Sequence, residues 1–113
     1  MIYDYRRGST ILIGLDAVKG DVAAVSAITA ELKALPPGGN VPDDATPVAT
    51  FVIAPRAASP TQPAGWTLSL SAIVSQGLTP GLYRTDARIE IAGGVVFTEP
   101  LDLRIAEPIT VPQ

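Results

Sequence analysis

Leu78-Thr79-Pro80-Gly81-Leu82-Tyr83, together with the alternating stretch that follows it, decides the fold of this chain. From Tyr83 to Ile91 the side chains alternate, with Tyr, Thr, Ala, Ile and Ile on one face and Arg, Asp, Arg and Glu on the other. A period of two indicates an antiparallel strand with one face in a core and one face in water. Gly93-Gly94 then predicts a turn, and Val95–Ile105 predicts a returning strand with a bulge or break at Glu99-Pro100.

The composition bounds the class of protein. At 113 residues the chain has room for one core, and we predict a single domain over residues 1–113. The sequence contains neither cysteine nor histidine, which excludes disulfides, zinc–thiolate sites and the commonest general base. The net charge of -3 argues against binding to nucleic acid or to an anionic membrane. With 47% hydrophobic and 17% charged residues, the many prolines and glycines indicate short strands separated by turns.

Three further apolar stretches predict strands. Thr10–Leu15 is rich in β-branched residues, and we interpret it as the first core strand. Val48–Ala54 is almost wholly apolar, which predicts a strand that is buried on both sides or central in its sheet. Trp66–Val74 begins with a clean alternation, which places the only tryptophan in the core rather than on a ligand platform.

The segment Val22–Leu35 allows two structures. As a helix it would be capped by Asp21 and stopped by Pro36-Pro37-Gly38, and its alanines favour that conformation. As a strand its apolar and polar side chains would face opposite sides of a sheet. The β-rich surroundings favour the strand, because a lone helix needs its own place in the packing of a sandwich. A single short helix at 22–35 remains the alternative.

Both ends of the chain, residues 1–7 and 106–113, are predicted to be extended arms, and the first could also be an edge strand. Extended ends can add strands to the sheet edge of a neighbouring protein. Nothing in the sequence resembles a signal peptide or a membrane span, so we expect the product in the cytosol of its maker or in an assembly formed there. The candidate interaction residues are Tyr3, Tyr5, Arg6, Arg7, Asp86, Arg88, Ile109 and Val111.

The motif Leu78-x-Pro80-x-x-Tyr83 resembles the tyrosine corner of immunoglobulin-like sandwiches. In that motif a tyrosine near the start of a strand bonds its hydroxyl to the upstream backbone, whereas the alternative is a tyrosine at the core edge without the bond. With turn signals at regular spacing, this predicts an all-β, immunoglobulin-like antiparallel β-sandwich of about seven or eight short strands. The residues expected to anchor the structure are Trp66, Pro80, Gly81, Tyr83, Gly93 and Gly94.

A second resemblance extends over most of the chain. Small β-sandwich domains of tailed-phage virions have a pattern similar to Arg6-Arg7-Gly8, Trp66, Gly81-x-Tyr83-x-x-Asp86, Gly93-Gly94-Val95 and Ile109-Thr110. The chain resembles the N-terminal domain of phage baseplate upper proteins and of related tail or head-fibre proteins. This resemblance implies a virion or prophage structural protein, often trimeric, that serves as an adaptor or base and is assembled in the host cytoplasm. Because the sequence stops at Gln113, we expect no fibre or receptor-binding part.

These observations favour a protein that acts only through interactions, as a tail, baseplate, fibre-base or capsid-surface module. Its expected partners are other virion proteins and further copies of itself, with no nucleic acid and no membrane. The alternative is a small-molecule or carbohydrate binding module of the same fold, which would need several exposed aromatic side chains. An enzyme is not expected, because no paired carboxylates, nucleophile elbow or phosphate loop is present. We predict no catalytic residue, no cofactor and no metal.

Overall fold

The computed structural model describes residues 2–16, 25–36, 45–61 and 63–109, and within them the chain forms nine strands and one short helix. The larger sheet contains β1 (Ile2–Arg6), β3 (Val25–Ala34), β4 (Ala49–Thr50), β7 (Gly81–Ile91), β8 (Gly94–Phe97) and β9 (Leu101–Ala106). The smaller sheet contains β2 (Ile11–Asp16), β5 (Val52–Arg56) and β6 (Gly65–Leu70). Helix α1 (Ala72–Gln76) connects β6 to β7.

Strand β7 is the centre of the larger sheet, whose order is β1-β9-β7-β3-β4. It pairs antiparallel with β3 on one side and with both β8 and β9 on the other. The smaller sheet has the order β2-β6-β5 and is antiparallel throughout. The predicted all-β sandwich is confirmed, and β2-β6-β5 facing β9-β7-β3 matches the B-E-D and G-F-C strands of immunoglobulin-like sandwiches.

The core lies between the two sheets and is filled by the alternating apolar side chains of both. On β7 the inward residues Tyr83, Thr85 and Ala87 are buried, as their alternation predicts. Leu32 on β3 and Leu103 on β9 are fully buried beside them. The remaining buried apolar residues are Ile11, Ala30, Phe51, Leu68, Leu70, Leu78 and Ile105.

The hairpin of β7 and β8 has the predicted glycine turn and the predicted bulge. Ile91 pairs with Gly94, and Gly93 has a φ of 90°, a conformation that glycine adopts without strain. Beyond β8, Ala87 N donates to Thr98 Oγ1 at 2.9 Å. In a regular ladder the carbonyl oxygen of Thr98 would accept this hydrogen bond. The register of β7 with its partner therefore shifts before β9 begins at Leu101.

The structure decides the ambiguous segment and places the short helix elsewhere in the chain. Val25–Ala34 is a strand, which decides the ambiguous segment against a helix, although residues 22–24 lie outside the described residues. The short helix lies instead at Ala72–Gln76, so the strand predicted over Trp66–Val74 was wrong beyond Leu70. The cause is Ser71, whose hydroxyl accepts a hydrogen bond from Val74 N at 3.2 Å and caps the helix.

The prediction of one strand over Val48–Ala54, buried on both sides or central in its sheet, was also wrong. The chain changes sheets at Phe51, which is buried, and its N–H donates to Ala30 O at 2.9 Å. Residues before it belong to β4 of the larger sheet, and residues after it belong to β5 of the smaller sheet. Val52 consequently points outward and is 65% exposed.

Candidate interaction surfaces

The first residues of the chain form the edge of the larger sheet. β1 runs parallel to β9, with Ile2 opposite Asp102 and Arg6 opposite Ala106, so the edge-strand alternative describes these residues. Tyr3 and Tyr5 share the inward face of β1 because they lie opposite Leu103 and Ile105. Residues directly opposite one another in a sheet share a face, so the register of β1 with β9 determines this orientation.

Tyr5, a candidate interaction residue, joins the two sheets. Its hydroxyl donates to Leu12 O on β2 at 3.0 Å. Burial raises the pKa of the Tyr5 hydroxyl, and the neighbouring Tyr3 raises that pKa further. Tyr3 is 43% exposed and is the more accessible of the two rings.

Arg6 and Arg7 hold the end of the sandwich at which the chain leaves β9. Arg6 Nη1 donates to Glu107 O at 3.1 Å. Arg7 Nε donates to Gln76 O at 2.8 Å, and Arg7 Nη1 bonds Glu107 Oε1 at 3.0 Å. The two arginines therefore tie the start of the chain to the end of α1 and to the residue that follows β9.

A buried serine, Ser75, makes two further hydrogen bonds near Arg6 and Arg7. Ser75 Oγ donates to Ser9 O at 2.6 Å and accepts from Gly8 N at 3.1 Å. Gly8 has a φ of 86°, which lets the backbone turn its N–H toward this hydroxyl. Ser75 thus fixes α1 against the turn that leads from β1 to β2.

We call this region, comprising Arg6, Arg7, α1 and residues 106–109, the chain-exit end. Exposed apolar side chains accompany its polar contacts: Ile73 on α1 is 86% exposed, and Ile109 is 93% exposed. The structure thus brings together Arg6 and Arg7 and places Ile109 two residues beyond their shared partner Glu107. The candidate Val111 lies outside the described residues.

The outward face of the larger sheet carries ion pairs between neighbouring strands. Arg84 on β7 makes two hydrogen bonds to Asp102 on β9, Nε to Oδ1 at 2.7 Å and Nη2 to Oδ2 at 3.1 Å. The Arg84 guanidinium lowers the pKa of the Asp102 carboxyl through these bonds, against the opposing effect of burial. On the neighbouring strand pair, Arg104 Nη1 lies 3.5 Å from Asp4 Oδ1.

The candidates Asp86 and Arg88 lie on this outward face but have different surroundings. Arg88 forms an ion pair with Glu90 on the same strand. Asp86 is exposed and lies directly opposite Glu31 of β3, so two like charges face each other across the ladder. Of the two residues, Arg88 lies at the end of the sheet where β8 pairs with β7.

We call the paired residues 88–91 and 94–97 the hairpin end. Its apolar side chains are accessible: Phe97 is 60% exposed, Val96 is 50% exposed and Val95 is 45% exposed. Val95 and Phe97 lie opposite Glu90 and Arg88, and therefore on the outward face beside the Arg88–Glu90 ion pair. The sequence analysis missed this surface, although three consecutive apolar residues after Gly94 were a visible signal.

The predicted structural anchors are placed in or beside the core, or at turns. Tyr83 is buried and donates its hydroxyl hydrogen bond to Thr79 O, as the tyrosine-corner motif predicts. Trp66 is half-buried and packs against the core. Pro80 is exposed and precedes Gly81, which begins β7 with a φ of 153°. Gly93 and Gly94 make the turn between β7 and β8.

The described residues contain no group of three or more acidic side chains that could hold a metal ion. In the same parts of the chain, no helix is both long and apolar enough to cross a membrane. Searches against protein-family models and against curated proteins returned no match for this chain.

Proposed function

We propose that this chain is a non-enzymatic structural or adaptor protein of a phage or prophage particle, acting through protein–protein contacts. The observation that carries the proposal is that exposed apolar side chains lie at both ends of β7. Ile73 and Ile109 belong to the chain-exit end, near Gly81, and Val95 and Phe97 belong to the hairpin end. An 11-residue strand spans about 33 Å, so the two surfaces can bind different neighbours at once.

The polar contacts at the chain-exit end support this proposal. Arg7 bonds both α1 and Glu107, and Arg6 bonds the carbonyl of Glu107. These bonds fix the backbone at Glu107, two residues before the exposed Ile109. A contact surface that is already ordered loses less entropy when its partner binds.

The resemblance to small virion sandwiches supports a place for this chain in a phage particle. Within Gly81-x-Tyr83-x-x-Asp86, the glycine begins β7, the tyrosine forms the corner and the aspartate lies on the outward face. In a particle its partners would be other virion proteins and further copies of the chain, which would form a homo-oligomer such as a trimer. The location would be the virion, assembled in the host cytoplasm.

The surroundings of the aromatic residues favour this function over a small-molecule or carbohydrate binding module. Binding modules present aromatic faces to their ligand. Here the Tyr83 and Tyr5 hydroxyls bond backbone carbonyls, and Trp66 packs against the core. Phe97 is accessible, but it lies in a strand at a sheet edge, where protein strands bind.

The test is whether the chain is a component of purified particles. Particles released by the strain that encodes the chain would be sedimented through a density gradient and quantified by mass spectrometry. We expect the chain to co-sediment with the particle proteins at a constant copy ratio across the peak. Its absence from the particle peak, with all of it in the unsedimented fraction, would reject the proposal.

Substitutions at the two ends connect this test to the structure. Ile109→Asp places a charge on the most exposed apolar side chain of the chain-exit end and is expected to lower the copy number in particles. Val52→Asp is the matched control, because Val52 is also exposed, at 65%, but lies on the smaller sheet. Equal copy numbers for the two variants would remove the chain-exit end from the proposal.

A further inference from the structure

Strand β8 has an open edge. β7 lies on one side of β8, and among the described residues no strand lies on the other side. β1 pairs with β9 from Asp102 onward and does not extend along β8. Thr98 N donates to Ala87 O at 3.0 Å, which places Thr98 at a hydrogen-bonded position of the ladder. Backbone direction alternates along an antiparallel strand, so the N–H and C=O groups of Val95 and Phe97 point away from β7.

The side chains at this open edge are apolar and accessible. β8 reads Gly-Val-Val-Phe and carries no charge. The other long edge of the larger sheet, β1, carries Asp4 and Arg6, and charged residues on an edge discourage pairing with another chain. β8 is therefore better suited chemically than β1 to accept a further strand.

We propose that β8 pairs antiparallel with β8 of a second copy of this chain, with Val95 opposite Phe97 of that copy. This register joins edge-facing residues only, so each Val95–Phe97 pair exchanges two backbone hydrogen bonds. Val96 then lies opposite Val96 of the second copy, on the two-fold axis of an isologous contact. The inference rests on the proposed function, in which the hairpin end is one of two contact surfaces.

The charges beside β8 are compatible with this register. Arg88 lies beside Phe97, and Glu90 lies beside Val95. Each row across the contact therefore runs from Arg88 through the two apolar side chains to Glu90 of the second copy. Opposite charges lie at the two ends of each row, and no like charges meet.

The size of the contact sets its strength. A pair of four-residue strands buries far less than the roughly 800 Å² per partner of a standard interface. The isolated dimer is therefore weak and dissociates on dilution. Repetition of the contact within a particle, where the copies are held at high effective concentration, makes it persistent.

A cysteine at Val96 tests the register directly, because the chain has no cysteine of its own. Val96 and its counterpart form a non-hydrogen-bonded pair, with Cα atoms about 4.5 Å apart, which is within the range for a disulfide. Val96→Cys is expected to form a disulfide-linked dimer about tenfold faster than Val52→Cys, which reports random collision. Equal rates for the two variants would overturn the proposal.

A charge at the edge provides the second test. In sedimentation experiments the average mass of the unmodified protein is expected to rise with concentration from 11.7 kDa toward twice that value. Phe97→Lys is expected to remain at the monomer mass, and adding it to Val96→Cys should remove the rapid disulfide formation. Val52→Lys should behave as the unmodified protein, which excludes an effect of added charge alone.

The outcomes separate this inference from the proposed function. If deleting residues 109–113, but not Phe97→Lys, abolishes the rise of the average mass with concentration, residues 109–113 and not a second β8 make the contact, and the inference fails. If Phe97→Lys leaves both mass and copy number in particles unchanged, the β8 contact is wrong while the adaptor function stands. If the unmodified chain is absent from particles, the proposed function fails whatever the dimer does.

Discussion

The hydroxyl of Tyr83 donates a hydrogen bond to the carbonyl oxygen of Thr79, four residues upstream, where the chain turns into β7. Tyr83 is buried, and this burial raises the pKa of its hydroxyl. The bond fixes the start of the central strand of the larger sheet relative to the connection from α1. It is the tyrosine corner that the motif Leu78-x-Pro80-x-x-Tyr83 predicts.

Replacing Tyr83 with phenylalanine is expected to destabilise the fold by about 1 kcal/mol, the net value of one hydrogen bond. The ring stays in the core, and Thr79 is exposed, so water can replace the lost donor. The measurement is the free energy of unfolding in urea. Tyr3→Phe, at the half-exposed ring on β1, is the control and should change stability by less than about 0.5 kcal/mol. Equal midpoints for the two variants would mean that the corner bond contributes nothing.

Ser75→Ala is expected to cost more, about 2 kcal/mol, because it leaves two backbone groups without their partner. The Ser75 hydroxyl is fully buried and bonds Ser9 O and Gly8 N. Urea unfolding gives the change in stability, and hydrogen exchange at the Gly8 amide should become faster. Ser69→Ala, on the outward face of β6, removes a hydroxyl of the same kind and should leave both measurements unchanged. A Ser75 variant as stable as the Ser69 variant would rule out this tie.

Gly65 cannot accept a side chain without a shift of its neighbours. A Cβ there would overlap Leu15 O and would lie 3.0 Å from both Asp16 Cα and Arg56 Nη2. The Arg56 guanidinium covers this position through its ion pair with Asp16 and a 3.1 Å hydrogen bond to Pro63 O. Gly65→Ala is expected to destabilise the smaller sheet by about 2 kcal/mol through this overlap.

Gly94→Ala is the matched control, since a Cβ at Gly94 meets nothing within 4 Å. Its free energy of unfolding in urea should stay within about 0.5 kcal/mol of that of the unmodified protein. If Gly65→Ala is tolerated equally well, the approach of Leu15 to β6 is looser than the structure shows.

Much of the larger sheet follows from the sequence because its signals are local. The alternation from Tyr83 to Ile91 determines which face of β7 enters the core, and Glu99-Pro100 marks the bulge before β9. The alternation in Val25–Ala34 is equally local, and the β-rich surroundings correctly outweighed its helix-favouring alanines. The tyrosine corner also lies within a few residues of chain.

The errors arise where tertiary contacts override an apolar run. Phe51 divides Val48–Ala54 between two sheets, and nothing in the run itself marks the crossing. Val95–Phe97 has the composition of a core strand, yet its register with β7 places Val95 and Phe97 on the outward face, and only Val96 on the inward face, where it is 50% exposed. The apolar run was a visible signal of a strand, but it did not show that the strand would be left uncovered. The serine cap of α1 was a readable signal, but the apolar residues Ala72–Val74 concealed it.

The last prediction concerns acid. Arg84 lowers the pKa of Asp102 in the folded state, so the ionised carboxylate stabilises the fold above its unfolded pKa of about 3.9. That stabilisation is lost as the pH falls through the folded-state pKa and Asp102 becomes protonated. Asp102→Asn is expected to be less stable near neutral pH and to lose less stability than the unmodified protein between about pH 5 and pH 2.

The loss near neutral pH should be below about 1 kcal/mol, because both side chains of this pair retain contact with solvent. Asp86→Asn removes a carboxylate from the same face, but there the carboxylate lies opposite Glu31, so its removal relieves repulsion and should not lower stability. Unfolding free energies from urea titrations at several pH values distinguish the two variants. An Asp102→Asn protein whose stability falls with acid as steeply as that of the unmodified protein would show that Arg84 and Asp102 are not coupled, since the wild-type excess at neutral pH would then come from packing alone.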